Sequence, residues 1–454
     1  MLMISQRGQY HYSLIFGTIR SREKWVHRPT NLCNMVENFD SLHVLLKLVE
    51  PGLSSDQLFD LTAQLDEDQW QALIAEADRQ KITPYLYTLL VNLNKSHGIE
   101  IPQREKLNQL HLSNTVRNML FLHETENVLT ALHKAGIPTV GLKGVYLLEN
   151  IYPDISTRSM NDIDLLVRKP DLPKCLEVML ELGYQPNTYF NLADKNIDTK
   201  HVPPMQKTGG ALVEVHWTLL EEDEPFTIDA EALWQRTMSA RIANVDARAL
   251  SVEDLILHLS MHLTYQHYLN LGLRGLMDIA LVIHKFRSKI DWQKLVQIAR
   301  SWGSERVTAL TLKLVESQLN VSIPAEVIPA LLPEGIDPIV LENAHRQLLD
   351  RVWFDDHFTP DLLELSAKKG FLAKIKIGLQ RVFIPRLALA RTYNVPPNSP
   401  KILGLYWVRL RYLIRNYGKT VVRLQRGEEG TEPARKKAEI SNSLHAWMIP
   451  HKKP

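Results

Sequence analysis

The sequence predicts an α+β protein in which a small mixed β-sheet core is inserted between N- and C-terminal α-helical regions. Three observations predict it. Short β-branched runs bounded by turn residues cluster in residues 136–220. Apolar residues at helical spacing fill the chain on both sides of that cluster. The composition, 45% hydrophobic and 23% charged, is that of an ordinary globular chain, which excludes wholesale disorder and a collagen-like fibre.

The 454 residues allow about three domains. Residues 1–34 carry Arg7, Arg20, Arg22, Lys24 and Arg28 against Glu23 alone. A basic, acid-poor leader fits a targeting peptide, but helical patterning begins just after Met35. The expectation is therefore a disordered leader or an over-called start. Tyr10 to Gly17 is too short and broken for a secretory signal.

Residues 35–134 read as helical. Leu42, Leu45, Leu46 and Val49 form a buried stripe, Pro51-Gly52 breaks it, and Ser54 or Ser55 caps the next helix. Further helices are expected around 69–80, 84–92 and 104–133. The α+β core is expected over 135–240. Ile137–Leu142 and Ile163–Val167 read as strands, with a helix from Val145 to Tyr152 between them. A helix over Asp171–Leu182 closes at Gly183. Tyr184–Phe190, Val202–Lys207 and Ala211–Trp217 read as strands, the last two joined by a Gly209-Gly210 turn.

Residues 241–370 are expected to be helical, with helices marked by Leu255–Leu263, Leu273–Phe286, Trp292–Ala299, Pro324–Leu332 and Leu341–Val352. Residues 371–426 form a basic helical region. It holds twelve Lys and Arg and no Asp or Glu, although the whole chain is nearly balanced at 53 basic against 51 acidic residues. Leu405, Trp407, Val408, Leu410, Leu413, Ile414 and Tyr417 add apolar surface. Packing on the rest of the chain is the first expectation for this region, and peripheral contact with an anionic membrane the second. Nucleic acid is not expected as a partner. Residues 427–454, polar and with Pro433, Pro450 and Pro454, are expected to be a disordered tail. Two cysteines, Cys33 and Cys175, cannot build a disulfide framework, and no apolar run reaches membrane-spanning length. A cytoplasmic location is expected.

The chemistry is concentrated in Asp162-Ile163-Asp164-Leu165-Leu166-Val167. On a strand, Asp162 and Asp164 share one face and repel unless a cation lies between them. Carboxylate oxygens suit Mg²⁺. Upstream, Gly141-Leu142-Lys143-Gly144 sits at a strand-to-helix junction that offers N–H groups and an ammonium to phosphate. Downstream, Val213-Glu214-Val215-His216-Trp217 places Glu214 on another strand. Asp66-Glu67-Asp68 has the same local motif but precedes Trp70 and Leu73 at a helix start, where acids meet the positive dipole end. It is expected to be a solvated helix terminus.

Gly141, Lys143, Gly144, Tyr152, Arg158, Asp162, Asp164, Leu182-Gly183-Tyr184, Glu214, His216 and Trp217 together resemble the uncharacterised nucleotidyltransferase family of the DNA polymerase β-like superfamily. The likeness extends more loosely through His258, His262 and Arg274–Ala280, over roughly 40–425. It implies a metal-dependent transferase moving NMP from an NTP to an acceptor hydroxyl. Asp162, Asp164 and Glu214 would be the catalytic metal ligands for two Mg²⁺ ions, with Mn²⁺ as the alternative. Lys143, Gly144 and Arg158 would contact the nucleotide. Lys143-Gly144 departs from the usual Gly-Ser phosphate loop, and Glu214 from the commoner Asp. Glu214 is either a general base or purely a metal ligand. Two other readings remain. One is a non-catalytic nucleotide-binding or interaction protein that has kept the fold. The other is a metal-dependent glycosyltransferase, which the ~130 helical residues before the motif argue against.

His258 and His262 have the i, i+4 spacing of a metal pair but lack a third ligand, so core packing or an acceptor pocket is expected of them. For Arg274 and Asp278 the expectation is an intrahelical ion pair. For Arg158, pairing with Asp154 is the alternative to phosphate contact.

Overall fold

Helix caps open the N-terminal helical region. The computed structural model describes residues 39–188, 200–349, 381–396, 398–426 and 432–450, with the short strands β1 (Met3–Ile4) and β2 (Tyr10–His11) and with Leu379. The Asp40 carboxylate accepts from the Leu42 and His43 amides at the start of α1 (Ser41–Leu48). Ser54 and Gln57 form a capping box on α2 (Ser55–Thr62), and Asp66 and Gln69 form another on α3 (Glu67–Arg79). Helix α4 (Thr83–His97) has proline in its first turn and ends at Gly98. Helix α5 (Arg104–Lys134) then runs 31 residues to the sheet. Leu45, Leu73, Leu86, Leu90 and Leu132 are among the fully buried residues that join these helices to the sheet in one apolar core.

The sheet is mixed. In space the strands run β5 (Gln185–Pro186), β6 (Met205–Gln206), β7 (Val213–His216), β4 (Ile163–Leu166), β3 (Val140–Gly141), β9 (Val245–Ala249) and β8 (Met238–Ile242). At its centre β4 pairs parallel with β7 and antiparallel with β3. A helix, α6 (Lys143–Asn150), links β3 to β4, α7 (Leu172–Glu181) follows β4, and α8 (Ala230–Arg236) precedes β8. Gly183, at φ 84°, ends α7 in the left-handed conformation, and the next amide, of Tyr184, bonds back to the Met179 carbonyl. The expected strands are all present but shorter than their apolar runs.

The β8–β9 hairpin is a correction. The core limit expected at 240 falls inside β8, and the sheet continues to Ala249. Met238, Ala240 and Ile242 alternate with polar residues, as do Val245, Ala247 and Ala249. The turn residues Ala243 and Asn244 both have positive φ, 46° and 61°. That is a type I′ geometry, and an alanine in it hides the usual signal.

Beyond the sheet, α9 (Val252–Ser260), a π-helical turn (Met261–Gln266), α10 (Leu273–Phe286), α11 (Trp292–Trp302), α13 (Val327–Leu331) and α14 (Pro338–Leu349) lie where helices are expected. A further helix, α12 (Glu305–Leu319), is an addition, although Val307, Leu310 and Leu314 carry its apolar spacing. The tail needs a second correction. Glu432–Met448 is a helix packed on α14 and α12, not a disordered segment. Ile440, Leu444, Trp447 and Met448 form its apolar stripe, and the Arg306 guanidinium bonds the Trp447 carbonyl. Pro433 and Pro450 bracket that helix instead of breaking it. Most of the leader, and residues 350–378 of the regions around it, lie outside the described residues.

Candidate active site

The parallel pairing sets Asp164 directly opposite Glu214 and Leu166 opposite His216. Side chains alternate, so Ile163, Leu165, Val213 and Val215 enter the core while Asp164, Glu214 and His216 share the other face. Every residue of β4 and β7 is buried, so this polar face is shielded from water too. Asp162 immediately precedes β4 and is half-buried.

The buried acids are compensated unequally. Asp164 accepts from Lys143 Nζ at 2.7 Å and lies 3.0 Å from His216 Nε2. Burial alone would raise its pKa, but the Lys143 charge and His216 reverse this and hold the carboxyl well below its usual range. Glu214 lies 3.5 Å from His216 Nε2 and 3.9 Å from His201 Nε2. Burial opposes its ionisation as well, yet His201 and His216 bring it down to about 2. Asp162 has no such partner. Burial and the charges of Asp164 and Glu214 push it up to about 7, with Lys143 and Arg274 only partly offsetting them. Lys143 itself is raised to about 12, because the three acids outweigh its burial.

This donor set fits a divalent cation. One ligand atom from each of Asp164, Glu214 and His216 lies within 4.8 Å of the others. The His216 imidazole is a donor that a search of the sequence for carboxylates alone passes over; its position two residues after Glu214 on the same strand is the available signal. His216 Nδ1 is buried without a hydrogen-bond partner, as is His258 Nε2. Burial, with Lys143 and His216 nearby, holds His258 well below its ordinary pKa. His258 therefore lies beside this cluster as a neutral imidazole. His262, similarly depressed by burial, meets the His267 ring edge to face at 4.4 Å between ring centroids.

Lys143 begins α6, as expected of a strand-to-helix junction, but its ammonium is spent on Asp164. Arg158 is placed differently from either expectation. Its Nε and Nη2 donate to the two Asp278 carboxylate oxygens at 2.8 Å, and Asp154 instead holds the Ser156 amide. Tyr152 Oη donates to the same carboxylate at 2.7 Å. Asp278 is thereby taken, and the intrahelical pair with Arg274 does not form. Arg274 Nη1 reaches the Ser159 carbonyl at 3.2 Å, while its buried Nε has no partner.

The loop ahead of Asp162 is fixed from α5. Asn114 Nδ2 donates to the Ser156 carbonyl at 2.6 Å. Asn118 Nδ2 donates to the carbonyls of Ile155 and Arg158, and Asn118 Oδ1 accepts from the Met160 amide. Gly144 fits against this loop. A Cβ there would lie 2.9 Å from Arg158 Nη1 and 3.1 Å from Met160 Cγ. Arg158 is pinned and cannot swing aside, so Gly144→Ala should cost about 1–3 kcal/mol in a urea melt. A neutral result would mean that the loop yields freely.

The Asp66 motif, by contrast, is a helix cap. Its carboxylate accepts from the Gln69 amide at 2.9 Å.

Residues 66–320 match a family model described as an uncharacterised nucleotidyltransferase. The match spans more than half of the chain and includes the acids, Lys143, His216, Arg274 and Asp278. No curated protein and no solved structure matches the chain. On this match, the chain belongs to the uncharacterised nucleotidyltransferase family.

Proposed function

We propose that this site moves a nucleoside monophosphate from a nucleoside triphosphate to an acceptor hydroxyl, releasing pyrophosphate. The observation that carries the reading is the in-register pair Asp164 and Glu214 on adjacent parallel strands, with Asp162 one residue before the strand. Asp162, Asp164 and Glu214 would hold the divalent metal, with His216 as a further donor. A metal there supplies charge neutralisation at the phosphate and a lower pKa for the acceptor hydroxyl. Mg²⁺ suits the carboxylates, and the imidazole raises the standing of Mn²⁺.

The chain's own groups divide the remaining work. Glu214, already held at about 2, is a poor proton acceptor near neutral pH, and any added cation lowers it further. Its role is therefore to hold charge, not to act as general base. Arg274 supplies a cation for the triphosphate, and Lys143, paired with Asp164, would join it only where a metal takes over that carboxylate. Arg274 is the better placed in energetic terms, because its Nε is buried without a partner and an anion would relieve that cost. Arg158, committed to Asp278, positions the loop.

Labelled NTPs, Mg²⁺ or Mn²⁺ and a cell extract should give a labelled acceptor and pyrophosphate. Failure of the protein to bind any NTP with metal present would sink the reading. Arg274→Met should raise the KM for NTP about tenfold or more, with kcat less affected. Its melting midpoint should hold, since a buried guanidinium with an unpartnered Nε is removed together with its one bond to the Ser159 carbonyl. An unchanged KM with a large loss of stability would make Arg274 a structural residue.

A further inference from the structure

Ile402–Arg426 is a single helix with two apolar stripes. One stripe is used internally. Ile402 is buried with Ile384, Leu389 and Ala390 in a small separate core, against which Leu405 and Tyr406 pack. Tyr406 Oη donates to the Ile384 carbonyl, and Arg409 Nε to the Arg381 carbonyl. The partner helix in this core is Arg386–Tyr393.

The other stripe faces outward. Leu403 is 75% exposed, Trp407 71% and Ile414 62%, with Val408 beside them. Leu403, Trp407, Leu410 and Ile414 follow the i, i+4, i+7, i+11 spacing of one helix face. Exposed Phe383 extends the patch, its ring 5.6 Å from that of Tyr406. Lys401, Arg411 and Arg415 are exposed around it. Large apolar side chains on a helix whose inner face is already buried add nothing to the fold.

We infer that this face binds the surface of an anionic lipid bilayer, with Leu403, Trp407 and Ile414 entering the headgroup–acyl boundary and Arg411 and Arg415 pairing with lipid phosphates. Charge chooses this occupant. Residues 371–426 hold twelve basic residues and no acid, so a second copy would bring arginine against arginine. Met3–Ile4 of the basic 1–34 segment lies against Arg386–Tyr393, the helix that buries the inner stripe, and the outward residues stay exposed with it in place. A nucleic-acid backbone would satisfy the arginines and leave the leucine, tryptophan and isoleucine in water. Only a surface that is both anionic and apolar meets both halves of the face. No helix among the described residues is long and apolar enough to cross a membrane, so the contact is peripheral.

The test is co-sedimentation of the full chain with vesicles of phosphatidylcholine alone, and with vesicles containing about one-third phosphatidylglycerol. Binding should require phosphatidylglycerol and weaken at high salt. The variant Leu403→Ser/Trp407→Ser/Ile414→Ser should lose about tenfold or more in partitioning, and Arg411→Glu/Arg415→Glu a similar amount. These positions are exposed, so far-UV circular dichroism should be unchanged and should confirm folding. Three results would overturn the inference: no sedimentation with either vesicle; binding that survives the apolar triple variant, which would mark a merely basic patch; or apolar-variant-sensitive self-association without lipid, which would make the occupant a second copy.

Discussion

Asp162→Asn and Asp164→Asn should each lower turnover on the order of 10²-fold or more, while shifting the stability of the metal-free protein in opposite directions. Asp162 is the uncompensated acid, raised to about 7 by burial and by its two neighbours. Its folded value lies above the unfolded value of about 3.9, so ionised Asp162 destabilises the fold. The penalty is complete above about pH 7 and fades as pH falls toward 4. Asp162→Asn should therefore gain on the order of 1–2 kcal/mol at pH 8 and almost nothing near pH 4. Asp164 has the opposite sign. Lys143 and His216 hold its carboxyl below the unfolded value, so its contribution is full above about pH 4 and is lost as pH falls further. Asp164→Asn should cost about 2–4 kcal/mol at pH 7, because the buried Lys143 ammonium loses its nearest anion. Urea melts in a chelator at pH 4, 7 and 8, with turnover measured in parallel, check these values. Asp66→Asn supplies the contrast: asparagine caps a helix as well as aspartate, so neither stability nor turnover should move by much. Wild-type turnover in Asp162→Asn, in an assay that depends on metal, would remove Asp162 from the chemistry.

These acids were legible in the sequence because their arrangement is local. Asp162 and Asp164 are two residues apart on or beside one strand, and Glu214 lies on a strand with its own apolar alternation. The pairing of β4 with β7 then needs only one register to bring Asp164 and Glu214 together. What supports them was not legible. Asn118 bonds the Arg158 carbonyl across 40 residues, and Arg158 bonds Asp278 across 120. An asparagine inside a long helix looks like a solvated face until the loop it holds is packed on it. The same reasoning explains Arg274. Its i, i+4 neighbour Asp278 looks like a partner, but a carboxylate already serving Arg158 and Tyr152 has little left to offer. The tail misled for a different reason. The basic, polar first half of Glu432–Met448 masks an apolar second half that is buried only because α14 and α12 offer it a surface.

Asp278→Ala should be the most damaging single change to stability, costing about 3–5 kcal/mol, although Asp278 is not proposed to touch substrate. The Arg158 and Asp278 side chains are 9% and 7% exposed, so water cannot take over when one partner goes. Truncation would strand the Arg158 guanidinium and the Tyr152 hydroxyl at once, beside the poorly partnered Arg274. The loss would also reach the reaction. Arg158 lies between Gly144 of α6 and the loop that leads to Asp162, and Asp278 and the Arg274–Ser159 bond tie α10 to that loop. Turnover should therefore fall even at temperatures where the variant remains folded. The combined change Tyr152→Phe, Arg158→Met and Asp278→Leu removes every stranded polar group and fills similar volume. It should recover most of the stability but not the turnover, since an apolar cluster can replace the packing without reproducing the bidentate geometry. Denaturant melts of the single and triple variants, paired with turnover of the folded fraction, separate the two effects. A cost below about 1 kcal/mol for Asp278→Ala would place this ion pair with exposed surface bridges and leave the loop to Asn114, Asn118 and the Arg274–Ser159 bond.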